Sequence, residues 1–234
     1  MKIETAVIMA GGKGLRLRPY TYMIPKPLLP YKDYTILEDI IKKLTSYGIK
    51  EIFIVATHVQ RKYLQCLDFN KKYNITINLI FEYEEKGTFG GLYYLRNYLK
   101  KDFLLMNGDI ITDLNYRKLM TKHLLNKSKL TICIKKFSYQ MPYGEVIRKP
   151  NNHNAIGYIL EKPIYKWDIN AGIYLVNPEI LKHLDGNKIN FNQYLKLILD
   201  EYEINYYEIK EYWLDVGNDE NYKKANGLEN AKPL

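Results

Sequence analysis

The strongest constraint on this chain is an alternation that runs through its first 107 residues. Short, nearly continuous apolar runs take turns with amphipathic stretches of helical period. Residues 3–9 read as a strand, and YTILEDIIKKLTSY (34–47) as a helix with Ile36, Leu37, Ile40, Ile41 and Leu44 on one face, closed by Gly48. EIFIVAT (51–57) is a second strand, 59–72 a second helix, TINLIFE (76–82) a third strand, LYYLRNYL (92–99) helical and DFLLMN (102–107) a fourth strand. Parallel strands buried on both faces carry such unbroken apolar runs, so the pattern predicts an α/β fold. That fold is a Rossmann-like, mostly parallel central sheet flanked by helices.

Beyond about residue 128 the texture changes. LTICIKKF, GEVIRK, AIGYILEK and DINAGIYLV follow one another as strands, with helices only at 178–184, 190–200 and 218–226. This predicts a mixed or antiparallel extension of the same sheet. No Gly/Ser- or Pro-rich linker intervenes, so the chain reads as one domain, 1–234, with parts at 1–127 and 128–234. At 47% hydrophobic residues in 234, the chain can bury a proper core.

In an open α/β sheet, ligands sit at the carboxyl ends of the strands. Four segments bearing glycine or acid fall there: 10–16, 57–60, 84–91 and 107–113. The first, MAGGKGLRLRP (9–19), is a strand emptying into a glycine turn followed by Arg16 and Arg18. It is neither a P-loop, since Lys13 precedes Gly14 with no Ser or Thr after it, nor a dinucleotide fingerprint, which stops at Leu17. Backbone N–H groups in a tight glycine turn nevertheless form an anion nest, and a guanidinium adds planar donors matched to phosphate oxygens. The competing reading is a strand-ending turn with two solvated arginines. Arg18 has no assigned role, and a structural ion pair is the plain expectation for it.

Lys26 lies between two prolines, which hold it on a stiff extended segment. Asp109 in MNGDIITD and Asp215 in EYWLDVGN both emerge from apolar runs. Mg²⁺ is commonly held by one or two carboxylates together with phosphate oxygens, so these two acids form a candidate pair. Asp113 is the competitor, with helix capping as its alternative role. In YEEKGTFGGL (83–92), three glycines can bring backbone close to a flat ligand, and Thr88 can cap the helix that follows.

Charge is unevenly spread. Residues 1–160 hold 26 Lys+Arg against 13 Asp+Glu, residues 161–234 hold 9 against 13, and the last arginine is Arg148. An anionic partner for the first two thirds follows: nucleic acid, a membrane surface or a phosphorylated small molecule. Nucleic acid is disfavoured, because it gives strand-end acids no task. No apolar stretch is long enough to cross a bilayer and no leader is visible, so a cytoplasmic location is expected. The two cysteines, Cys66 and Cys133, lack metal spacing and read as buried or inert thiols. His58, His123, His153 and His183 form no cluster and read as structural or exposed. A homodimer is compatible with the sequence, which does not fix the oligomeric state.

Taken in order, these pieces resemble the sugar-1-phosphate nucleotidyltransferases, or sugar-nucleotide pyrophosphorylases. GGKGLRLRPYT followed by PKPLLP is similar to that family's N-terminal signature. The likeness continues through EKGTFGGL, NGDI, MPYGEV, LEKP, NAGIYL and YWLDVGNDENYKKAN, covering residues 3–226. The chain looks most like the short bacterial enzymes acting on mannose-, heptose- or hexosamine-1-phosphate, guanylyltransferases in particular. The resemblance implies transfer of NMP from an NTP, with GTP favoured over UTP, CTP or dTTP, to a hexose or heptose 1-phosphate. Both substrates are small molecules, and Mg²⁺ is the implied cofactor.

The resemblance also implies roles. Ala10, Gly11, Gly12, Gly14 and Gly108 would lie along the nucleotide, and Arg16 on the phosphates and the departing pyrophosphate. Lys26 would bind phosphate near the reacting centre. Gly87 and Thr88 would contact the base, and Asp109 and Asp215 would hold the metal. Gly144, Glu161, Lys162 and Asn170 would hold the sugar phosphate, Glu161 and Asn170 on hydroxyls and Lys162 on phosphate. Arg16, Lys26 and Asp109 carry the catalytic expectation. Leu15, where the family has Thr, and Glu145, where it has a small apolar residue, depart from the pattern. A sensor protein that binds a sugar nucleotide without turnover is the alternative of another class.

Overall fold

A computed structural model describes residues 2–84 and 86–228, with the side chain of His153 outside the description. The first strand, β1 (Thr5–Met9), opens into the glycine turn, and two short strands, β2 (Pro30–Tyr31) and β3 (Tyr34–Thr35), pair just before the first long helix, Ile36–Ser46. Thr35 caps that helix. Its hydroxyl accepts from the Glu38 N–H, and the Glu38 carboxylate accepts from the Thr35 N–H. The five apolar residues expected on one face are all buried.

Next come β4 (Glu51–Thr57) and β5 (Thr76–Glu82), both with the expected boundaries. The helix expected over 59–72 is instead three short pieces, His58–Gln60, Arg61–Gln65 and Phe69–Tyr73. Asp68 breaks it, because its side chain accepts from the Lys71 N–H and starts a new helix there. The next helical stretch begins at Gly87, earlier than expected, and Thr88 lies inside it without capping it. Strands β6 (Phe103–Asn107) and β7 (Ile110–Thr112) lead to the helix Tyr116–Leu125. Asn115 caps that helix, and Asp113 pairs with Lys43.

The later strands are β8 (Leu130–Gln140), β9 (Glu145–Lys149), β10 (Asn152–Leu160), β11 (Ile164–Val176), β12 (Asn205–Glu208) and β13 (Trp213–Asp215). Among the described residues the central sheet has seven strands in the order β12-β8-β11-β6-β1-β4-β5. Pairing is parallel across β6-β1-β4-β5 and between β12 and β8, while β11 runs antiparallel to β6 and β8. This is the mostly parallel sheet with a mixed extension. One apolar cluster packs on each of its faces, one around Ile8, Leu37 and Ile54 and the other around Val7, Phe89 and Tyr194.

Two arrangements position the site. Strand β11 meets β6 only through Ile173–Val176, so residues 164–170 run past the carboxyl end of β6. Strand β13 pairs with β7, bringing Asp215 opposite Ile110. Among the described residues no helix is long and apolar enough to cross a membrane.

Cys133 is buried, and burial pushes its thiol up, while Cys66 is exposed at a helix end with its thiol donating to the Lys62 carbonyl at 3.0 Å. His123 is buried against the Thr131 hydroxyl at 2.8 Å and stands 3.6 Å from Asp102. Burial raises the Asp102 carboxyl, but hydrogen bonds from His123 and Asn177 outweigh it, and the group titrates below its ordinary range. A depressed carboxylate contributes stability above its unfolded-state pKa, and that contribution disappears as pH falls through the folded-state pKa. Asp102→Ala is therefore expected to cost about 1–3 kcal/mol at neutral pH and much less at pH ~3. Urea unfolding at the two pH values checks this, and an equal loss at both would contradict it.

Candidate active site

Strands β1, β4, β5 and β6 run parallel, so their carboxyl ends place the segments at 10–16, 57–60, 86–91 and 107–113 along one edge. The glycine turn is pinned at its root. The Ala10 N–H donates to the Val55 carbonyl at 2.7 Å, and Gln60 Nε2 donates to the Ala10 carbonyl at 3.1 Å. At Gly14 the backbone is left-handed with φ 62°, and a Cβ there would stand 2.7 Å from Thr21 Cγ2. Only glycine fits that conformation in that space. The Thr21 hydroxyl donates to the Gly14 carbonyl and closes the turn.

One cleft of about 270 Å³ is lined by Gly12, Gly14, Arg16, Lys26, Gly108 and Asp109, among others. A second of about 470 Å³ shares the turn and Asp109 and adds Gly11, Glu82, Gly87 and Thr88. Nucleotide-contact and catalytic expectations drawn from distant parts of the chain thus meet in one place.

The polar centre joins two acids and two cations. The Lys26 ammonium pairs with Asp109. The Val216 N–H donates to the Asp109 carbonyl at 2.9 Å, which holds the Asp215 loop against Asp109. Burial raises the Asp215 carboxyl above its ordinary range and the neighbouring Asp109 charge raises it further, with Lys26 and Arg16 opposing. Asp109 Oδ1 and Asp215 Oδ1 are both buried and accept no hydrogen bond from a described residue. Two buried acceptor-only oxygens on a mutually repelling acid pair, with Asp109 lining the cleft, fit a divalent cation. Among the described residues no group of three or more His, Cys, Asp or Glu is placed to hold a metal ion.

The sign of the Asp215 effect is the reverse of the usual salt-bridged acid. A carboxyl raised in the folded state binds more protons than in the unfolded chain, so ionising it lowers stability as pH rises. Asp215→Asn is expected to raise the melting temperature of the metal-free protein by about 2–4 °C at pH 7, on the order of 1 kcal/mol for a chain of this size. Differential scanning fluorimetry measures this, and a lower melting temperature would refute the repulsion.

The sugar-phosphate group divides. Gly144 and Glu161 meet on the β9–β10 hairpin, where a Cβ on Gly144 would stand 3.2 Å from Glu161 Oε2. Lys162 follows with φ 46°, and Glu145 accepts a hydrogen bond from Tyr165. Asn170 donates to the Tyr174 hydroxyl at 2.8 Å and accepts from the Gly172 N–H at 3.0 Å. None of Gly144, Glu161, Lys162 and Asn170 lines the two clefts described above, although Asn170 lies on the β11 overhang past the carboxyl end of β6. Arg18 lies over the Tyr22 ring at 4.8 Å and makes no ion pair among the described residues, which replaces the structural ion pair expected for it. Asp113 is 66% exposed on Lys43, apart from the acid pair.

Three residues escaped the sequence reading. Glu82 ends β5 with only 5% exposure. Its carboxylate stands 3.6 Å from a Cβ built on Gly11 and 2.6 Å from one built on Gly91, and it lines the larger cleft. An acid closing an otherwise apolar strand was the available signal. Gln60 spans Ala10 and the Thr57 N–H, and nothing local marks it. Gly217 leaves room for Arg16 and Asp215, since a Cβ there would stand 2.9 Å from Arg16 Nη2 and 3.1 Å from Asp215 Oδ1.

A strand-end glycine turn, two cations and a pair of neighbouring acids lie on one edge of a parallel sheet. The chain belongs to the nucleotidyl transferase family, whose profile matches residues 5–231. It is 29% identical over 224 residues to a mannose-1-phosphate guanyltransferase of Schizosaccharomyces pombe, covering 93% of this chain and 62% of that protein. It is 30% identical over 232 residues to one of Hypocrea jecorina, covering 95% and 63%. The chain thus spans less than two thirds of those relatives' length. The crystal structure of HddC from Yersinia pseudotuberculosis superposes with a TM-score of 0.75 at 25% identity, covering 96% of this chain and 99% of that one. The same protein complexed with GMP-PN superposes with a TM-score of 0.74.

Proposed function

We propose that this chain transfers GMP from GTP to a hexose or heptose 1-phosphate, giving a GDP-sugar and pyrophosphate. The convergence of Arg16, Lys26, Asp109 and Asp215 beside the glycine turn carries this reading. Residues 1–127 supply the nucleotide side, and residues 128–234 the sugar-phosphate side together with Asp215.

A sugar 1-phosphate oxygen attacks the α-phosphorus, the bond from that phosphorus to the oxygen bridging to the β-phosphate breaks, and pyrophosphate leaves with the electron pair. The nucleophile is already an anion, so no general base is required. That agrees with the histidines: His123 is buried in the core, His183 lies 3.0 Å from Glu201, and His58 stacks on Tyr83. The difficulty is bringing two anions together, and these residues meet it by position and charge. Backbone N–H groups of Gly11, Gly12 and Gly14 hold the phosphates. Arg16 compensates the charge developing on pyrophosphate, and Lys26 holds phosphate next to Asp109. Glu161 and Asn170 are assigned to sugar hydroxyls and Lys162 to the sugar's phosphate. Mg²⁺ bound by Asp109 and Asp215 would supply further neutralisation of the phosphate oxygens.

Glu82 supports guanine. A carboxylate is acceptor-only, and guanine presents two adjacent donors, N1–H and the N2 amino group. Uracil and thymine offer one N–H between two carbonyls, and cytosine and adenine one amino group beside a lone pair. Guanine is the base whose donor edge matches an acceptor-only group most fully. The guanyltransferase relatives and the GMP-PN complex of HddC support the same base.

Pyrophosphate release across five NTPs and a panel of sugar 1-phosphates tests the proposal. GTP is expected to exceed every other NTP with at least one hexose or heptose 1-phosphate, and no release from any pair would establish a binding protein instead. Mg²⁺ is expected to raise the melting temperature of the wild type and not of Asp215→Asn, read by the same fluorimetry.

A further inference from the structure

Strand β1 ends at Met9 and β4 at Thr57, paired in parallel with Met9 opposite Val55. The Ala10 N–H still donates to the Val55 carbonyl at 2.7 Å, as a parallel ladder requires. The next rung of that ladder would send the Thr57 N–H to the Ala10 carbonyl. A side chain takes its place. The Thr57 N–H donates at 3.0 Å to Gln60 Oε1, and Gln60 Nε2 donates at 3.1 Å to the Ala10 carbonyl. One carboxamide thus stands in the ladder where a backbone hydrogen bond belongs.

Capping alone does not account for this side chain. Gln60 is the third residue of the short helix His58–Gln60, and its bond from the Thr57 N–H completes a local capping box. A cap of that kind uses only the oxygen. Here the nitrogen also reaches back fifty positions to the exit of β1, and the residue is only 7% exposed. The Thr57 hydroxyl donates to the same oxygen at 3.3 Å. Donors at Thr57 and an acceptor at Ala10 fix which way the carboxamide faces.

A carboxamide is wider than the single hydrogen bond it replaces, so it holds the exits of β1 and β4 apart where the glycine turn departs. Gly11 is the next residue. A Cβ on it would stand 3.6 Å from the Thr57 nitrogen and 3.6 Å from Glu82 Oε2, so the turn and the acid are spaced across this gap. Gly11 and Glu82 both line the larger cleft. We propose that Gln60 is a positioning residue for the transfer, its carboxamide wedging the sheet open by one rung and so setting where Gly11, Gly12 and Gly14 present their N–H groups to the triphosphate. The residue type follows from this. Glutamate lacks a donor for the Ala10 carbonyl, asparagine is one methylene shorter, and an apolar side chain offers neither group. This role rests on the reaction proposed above.

Gln60→Ala frees the Thr57 N–H to bond the Ala10 carbonyl directly, exchanging two side-chain hydrogen bonds for one backbone bond. Its crystal structure is expected to show that N–O separation closed to about 3 Å and the turn drawn toward β4. In pyrophosphate release, kcat per folded molecule is expected to fall by about 10–10²-fold, the cost of a small misplacement of reacting groups. KM for the sugar 1-phosphate is expected to stay within about three-fold, because that substrate is assigned to residues 128–234. Gln60→Glu keeps the length and the acceptor for Thr57 but sets an oxygen against the Ala10 carbonyl. The same split between kcat and KM is expected from it, and it carries the test if the alanine variant does not fold. A merely structural side chain would lower the melting temperature and leave kcat per folded molecule at the wild-type value. That result in either variant would overturn the role, as would an unmoved turn in Gln60→Ala. A wild type that releases no pyrophosphate from any substrate pair would instead overturn the reaction, and the role with it.

Discussion

Asp109→Asn is expected to lower turnover by at least ~10², about 2.7 kcal/mol of barrier, while leaving the fold intact. Asp109 sits at the carboxyl end of β6, paired with Lys26 and facing Asp215. The amide keeps the volume but loses the charge, so one half of the cation site and the partner of Lys26 go together. The effect belongs to kcat, because two anions still have to be brought together and the charge that offsets their repulsion is lowered. Asp215 is relieved of repulsion in the variant, so the protein is expected to remain folded at the wild-type melting temperature or above it. Steady-state pyrophosphate release with a thermal melt of the same sample makes the measurement. Near-normal turnover in a folded variant would remove Asp109 from the reaction.

Glu82→Gln is expected to lower kcat/KM for GTP by about 10²-fold, and to lower that for UTP and dTTP far less or to raise it. The substitution preserves shape in a residue that is only 5% exposed. It replaces one acceptor oxygen by an NH₂ donor. Guanine then meets a donor with a donor, leaving a buried polar group without a partner. Uracil and thymine instead gain a match, with the Gln oxygen on N3–H and the amide on a carbonyl. Competition assays between GTP and UTP read the ratio directly. An unchanged ratio would mean that Glu82 does not touch the base and that specificity resides elsewhere around the turn.

Much of the candidate site was legible because catalysis on a parallel sheet concentrates at strand ends, and strand ends can be read locally. Gly11, Gly12 and Gly14 announce a turn, Lys26 is held between two prolines, and Asp109 closes an apolar run. The structure gathers these into one pair of clefts. Capping was less legible. Thr88 and Asp113 were both plausible caps from their chemistry, yet Thr88 lies inside its helix and Asn115 takes the capping position from Asp113. A single local hydrogen bond decides such contests, and several nearby residues can make it. The same competition let Asp68 divide a helix that periodicity alone would have run to residue 72.

The turn MAGGKGLRLRP shows the division most clearly. Its sequence established that backbone N–H groups and a guanidinium would stand together at the end of a buried strand. Period-2 and period-3.6 patterns, being local, likewise fixed the α/β alternation and the single domain. Only the tertiary structure placed Glu82, Gly87, Thr88 and Asp109 around the same cleft as the glycine turn. It alone brought Asp215 to Asp109 across more than a hundred positions, through the pairing of β13 with β7. It alone buried Glu82 against Gly11 and Gly91. Those contacts depend on register and packing between distant segments, a non-local property that no window of sequence contains.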